Sequence, residues 1–200
     1  MRRLYVESNF VLELVFAQDH RDQCEDLLTA AEQGVIELVI PAYCLGEPFE
    51  TLGRRHRGRL RLQDELQSEI KQLRRVVEYD ELLGEADATV GLFARSARED
   101  VERLDRYYQR ICAVAVLAPL STDAIVRSLA LRVEFDLSMQ DAIVLASVEI
   151  DLDERPAEAA FVTRNSKDFD DPGVRSDLEA RNTRLLINFG AAVGFALHNA

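Results

Sequence analysis

Cysteine and histidine are scarce in this chain, and the few present form no metal-binding pattern. The three cysteines, Cys24, Cys44 and Cys112, are unevenly spaced and include no CxxC pair. That argues against a disulfide framework or a zinc knuckle and suits a reduced, intracellular setting. The three histidines, His20, His56 and His198, make no HExxH and read as surface or loop residues. No apolar run approaches the roughly 20 residues that span a bilayer. Met-Arg-Arg leads directly into a strand-like Tyr-Val with acids close behind, without the order of a secretory leader. A cytoplasmic protein with no membrane partner is therefore expected. Internal repeats and low-complexity tracts are lacking too. So is any excess of basic charge: the net charge is −12 over 200 residues. The surface as a whole repels nucleic acid, and only a local basic face can bind one.

What is present is a substantial core, since 48% of the residues are hydrophobic. The length suits one domain over residues 1–200. Short apolar runs at 3–6, 35–40, 114–117, 159–163 and 184–187 read as strands. Between them lie segments with apolar residues at helical spacing, at 22–32, 42–55, 121–135 and onward from Ser138. Pro41 stops the second strand, and Gly34 ends the helix before it. Alternation of strand and helix implies an α/β fold in three layers, with a central, mostly parallel sheet covered on both faces. Residues 57–111 break the alternation. Leu66, Ile70, Leu73 and Val77 repeat at helical spacing, which predicts a helical arm of two or three antiparallel helices added to the core.

Four acids fall where strands should end and helices begin: Glu7, Glu47, Asp141 and Asp168. A carboxylate at such a junction costs energy to desolvate, and a metal or a hydrogen-bond donor offsets that cost. In parallel sheets ligands bind beyond the carboxyl ends of the strands. If the four acids converge there, their oxygens suit Mg²⁺ or Mn²⁺. Each acid also has an ordinary reading. Glu7 and Asp168 can be solvated loop acids, Glu47 a first-turn acid favoured by the helix dipole, and Asp141 the partner of a Ser138 capping box.

The ordered set Glu7-Ser8-Asn9, then Glu47, then Asp141-Ala142-Ile143-Val144-Leu145-Ala146, then Thr163-Arg164-Asn165-Ser166-Lys167-Asp168-Phe169 resembles a PIN domain. It is most similar to the VapC-like ribonucleases of toxin–antitoxin systems. The resemblance covers both ends of the chain and skips the arm. It implies a Mg²⁺- or Mn²⁺-dependent endoribonuclease with Glu7, Glu47, Asp141 and Asp168 as metal ligands and Asn165 beside them. It also implies that Asn9 and Thr163 orient a carboxylate or water, and that Arg164 touches phosphate. An antitoxin protein and a second copy of the chain are the partners it suggests. Two positions depart from the usual pattern. The first acid is commonly Asp, and Glu7 places its carboxylate about 1.5 Å further out. An amide, Asn165, stands where an aspartate is frequent. Those departures keep a non-cleaving RNA- or protein-binding PIN module as the alternative, and the same acids could also serve a DNA-directed nuclease.

The basic stretch of residues 53–61 carries Arg54, Arg55, Arg57, Arg59 and Arg61. It reads as an RNA-backbone contact, as a contact for an acidic partner, or as a solvated helix end. Tyr107 and Tyr108 read as core residues or as base-stacking platforms.

Overall fold

The computed structural model describes residues 1–79 and 83–197; His198 and the side chain of Val77 lie outside the described part. Five strands, β1 (Arg2–Val6), β2 (Ile36–Pro41), β3 (Val116–Ala118), β4 (Ala159–Val162) and β5 (Thr183–Leu186), form one parallel sheet ordered β3-β2-β1-β4-β5. The alternating three-layer α/β/α architecture expected from the sequence is the one observed. Strand ends differ from expectation by one or two residues. β1 is central because Leu4, Tyr5 and Val6 are all fully buried, and only a strand covered on both faces tolerates that pattern. The chain order reverses beside β1, so the switch point lies between the carboxyl ends of β1 and β4.

Helices α1 (Ser8–Val15) and α2 (Arg21–Glu32) connect β1 to β2. Gly34, at φ +69°, turns the chain out of α2 into β2. Helix α3 (Glu47–Leu73) follows a 3-10 turn at Ala42–Leu45. It does not stop near 55. No proline interrupts it after Pro48, so the basic stretch is helix interior rather than a helix end. Helix α4 (Leu83–Val114) returns antiparallel to it, as the pairs Arg59–Asp100 and Arg74–Asp87 show. Near the turn, Leu66 and Ile70 pack with Leu83 and Val90 as a small separate core, while Leu73 is exposed. Further down α4, Leu104, Tyr107 and Ile111 belong to the main core. Tyr107 is therefore a packing residue and not a base platform.

Helices α5 (Thr122–Glu134) and α6 (Met139–Glu154) pack on each other. Beyond β4 the chain forms α7 (Ser166–Phe169), α8 (Pro172–Ala180) and α9 (Phe189–Leu197). The apolar tail beyond β5 is thus a helix. It is apolar on every side, which hides the helical period; it packs on α2, and its Phe189 tilts against Phe10 of α1 at 6.1 Å.

At the amino ends of the strands, charges are neutralised in pairs. Arg3 meets Glu37, Arg155 meets Asp151 at 2.7 Å, and the Tyr5 hydroxyl donates to Asp151 at 2.6 Å. On α6, Glu149 is buried against Arg127 at 2.7 Å and Arg181 at 3.8 Å. Burial pushes its carboxyl up to about 7; Arg127 opposes the rise and Asp177 adds to it. One carboxylate oxygen of Glu149 has no hydrogen-bond partner among the described residues. The folded-state value lies above the ordinary value of 4.5. The contribution is therefore complete below about 4.5 and is lost as pH rises through about 7. Thermal melts across that window should show wild type losing up to about 3 kcal/mol from this group, and Glu149→Gln losing less. Parallel curves for the two proteins would contradict the assignment.

Candidate active site

The register Val6↔Val162 places Glu7 and Thr163 side by side as β1 and β4 end. Glu7 precedes α1 with extended backbone, and its side chain makes no capping hydrogen bond. The carboxylate turns instead toward Asn9 Nδ2, which donates to Oε1 at 2.8 Å, and toward the Thr163 hydroxyl, which donates to the same oxygen. Thr163 is oriented for that role, because its own oxygen accepts the Asn165 backbone N–H at 2.9 Å. The longer side chain of Glu7 is thus accommodated by two donors that meet its extra reach.

Glu47 opens α3. The 3-10 turn before it is held by the Tyr108 hydroxyl on the Leu45 carbonyl, and Phe49 stands edge-on to Tyr108 at 4.7 Å. Tyr108 thereby supports the turn that presents Glu47. The Ser8 hydroxyl donates to Glu47 Oε2 at 2.5 Å. Asp141 lies in the first turn of α6. Its N–H donates to the Ser138 hydroxyl at 3.1 Å, the capping role read from the sequence, and that hydroxyl donates to Oδ2 at 2.6 Å. Asn165 Nδ2 donates to Oδ1 at 3.2 Å. The ordinary capping reading and the site reading of Asp141 therefore hold together.

These residues line one cleft of about 810 Å³ at the carboxyl edge of the sheet. Its lining includes Glu7, Asn9, Glu47, Asp141, Asn165 and Arg164 from the expected set. Thr163 is fully buried beneath it. Asp168, expected as a ligand, sits half-buried on α7 and is not among the residues lining the cleft. Arg164 is held by Glu13 at 2.5 Å, and Glu13 also accepts the His20 backbone N–H at 2.9 Å. Sequence reading missed Glu13 and Glu50, which add two further acids to the lining. The signal for Glu13 was present, as a lone acid inside the apolar run of α1.

Electrostatics separates Glu7 from every other buried acid among the described residues. Glu13, Asp100, Glu149 and Asp151 each have an arginine within salt-bridge distance. Glu7 is 6% exposed and has none among the described residues. Burial pushes its carboxyl above the ordinary range, Thr163 and Asn9 oppose the rise, and the charges of Asp141 and Glu47 add to it. The Cys44 thiol is likewise pushed up, first by burial and then by Glu7. It is a neutral, inert group beside the acids.

The donor chemistry of the cleft fits a divalent cation. All the anionic donors are carboxylate oxygens, which suits a hard cation, and the charge on Glu7 is uncompensated. Among the described residues, no group of three or more such side chains is placed to hold a metal ion directly. A cation there would be bound directly by at most two of the carboxylates, with water completing its shell, as is common for Mg²⁺.

The profile of a family described as PIN domain matches residues 4–169. The chain belongs to the PIN-domain family. Proteins of that family are usually nucleases and generally use divalent metal ions. No curated protein and no solved structure matches the chain significantly.

Proposed function

We propose that this protein is a Mg²⁺- or Mn²⁺-dependent endoribonuclease of VapC-like type, with Glu7, Glu47 and Asp141 holding the cation directly or through its bound water. The observation that supports this most is Glu7: a buried carboxylate with no arginine, facing two further carboxylates. A bound divalent cation would supply an acidified water and neutralise charge on the phosphate. The residues of the chain do the positioning. Asn9 and Thr163 fix the Glu7 carboxylate, Ser8 fixes Glu47, and Ser138 with Asn165 fixes Asp141. Arg54 and Arg164 on the cleft wall supply guanidinium donors for phosphate oxygens. An antitoxin partner and a homodimer belong to the same reading, and light scattering reads out the second.

One observation favours a second reading, a PIN module that binds RNA without cutting it. Each of the three carboxylates already accepts a hydrogen bond from a neutral side chain. Labelled single-stranded RNA, single-stranded DNA and duplex DNA, each incubated with Mg²⁺, Mn²⁺ or a chelator, separate the possibilities. RNA should be cleaved only with metal. Cleavage of DNA alone would assign a DNA-directed nuclease, and binding of RNA without cleavage under every condition would favour the module.

A further inference from the structure

The five arginines of the basic stretch divide into two sets. Arg55 stacks on the Phe16 ring at 3.9 Å, and Arg59 neutralises the buried carboxylate of Asp100. Both are committed to the fold. Arg54, Arg57 and Arg61 are exposed and make no ion pair among the described residues. Their spacing of three and then four residues puts them on one face of α3. Counting backward at the same spacing, that face begins with Glu50 and Glu47. Glu47, Glu50 and Arg54 line the cleft. A single exposed stripe therefore starts with the cleft acids, turns basic at Arg54 and continues about 10 Å along the arm to Arg61.

Gly53 adds a detail to this stripe. A Cβ at that position would stand 3.4 Å from Arg57 Nη1, so the Arg57 guanidinium lies back over the glycine, toward the cleft end of α3. Unpaired guanidiniums in a protein of net charge −12 are the groups available to an anion. Acids more than a Debye length of about 8 Å away are largely screened from them. Arginine forks match phosphate oxygens two at a time.

We propose that Arg54, Arg57 and Arg61 form a backbone track for single-stranded RNA, which guides the strand along α3 into the acidic cleft. The track rests on the nuclease reading of the cleft and gives the arm its function. Arg54 belongs to the cleft wall, so the track is tested at its outer two members. Filter binding of an RNA oligonucleotide is measured across a salt series, in chelator so that nothing is cut. Wild type, R57Q/R61Q and a control of equal charge, R132Q/R184Q, are compared. Loss of two phosphate contacts should reduce the slope of log K against log salt by about 1.4. The control should keep the wild-type slope.

Cleavage with metal is then read on a short and a long RNA. The variant should lose efficiency on the long one and retain it on the short one. If R57Q/R61Q matches the control while wild type binds and cuts RNA, the track is overturned and the nuclease reading stands. A variant that loses slope, in a protein that never cuts, keeps the track and overturns the nuclease. If wild type binds no RNA, both fail. Retained RNA binding by R57Q/R61Q with lost capture of an acidic peptide would assign the stripe to a protein partner instead, and overturn the track.

Discussion

Glu7→Gln is expected to raise the melting temperature by a few degrees in chelator and to abolish metal-dependent cleavage of RNA. Both effects have one cause. Glu7 is buried, unpaired by arginine and repelled by Asp141 and Glu47. Both of its hydrogen bonds fall on a single oxygen, Oε1. The glutamine carbonyl can keep those two bonds while its amide group replaces the other oxygen, so charge repulsion is relieved with little loss of contact. The same charge is what a cation needs. A site that is destabilising when empty and useful when filled is a familiar exchange of stability for function. Glu7→Asp keeps the charge and the family's usual length, and should retain cleavage. The raised carboxyl also gives cleavage an acid limb. At limiting metal, activity should fall as pH drops through a value above the ordinary glutamate value of 4.5, because the proton then competes with the cation. A Glu7→Gln protein that melts lower and cuts RNA normally would show that Glu7 is merely a structural acid.

Asp141→Asn should leave the melting temperature nearly unchanged and lower cleavage by at least about 100-fold, since even residues that only support a metal ligand cost 10–100-fold when changed. The fold is spared because the cap uses the Asp141 backbone N–H and the Ser138 hydroxyl, neither of which is altered. The carbonyl oxygen of the substituted amide can still accept from Asn165, as Asp141 Oδ1 does. What disappears is one negative charge in the cleft. Titration calorimetry with Mn²⁺ should show weakened binding in step with the lost activity. Full binding with lost activity would move Asp141 from holding the cation to positioning substrate.

Features set by nearby residues are the most legible in the sequence. Ser138 and Asp141 are three residues apart, and the cap they form follows from helix geometry alone. Glu7 can be placed because an apolar strand ends and a helix begins on either side of it. Glu13 and Arg164 form their pair across 151 residues, and no local pattern announces such a contact. The basic stretch suggests an end to helix α3, because arginines favour helix ends. In fact two of them, Arg55 and Arg59, find partners on Phe16 and Asp100 that sequence spacing does not reveal. The motif order carries Asp168 along with Asn165, yet only Asn165 lines the cleft. The spacing of a motif does not fix which way a four-residue helix turns its side chains.

The central claim is that Glu7, Glu47 and Asp141 form one cation site. Its most direct test is anomalous diffraction from crystals soaked in Mn²⁺. A peak is expected in the cleft, within a metal–oxygen bond of about 2.0–2.6 Å of Asp141 and of Glu7 or Glu47. A protein that cleaves RNA with Mn²⁺ while its anomalous peak lies outside this cleft would contradict the account.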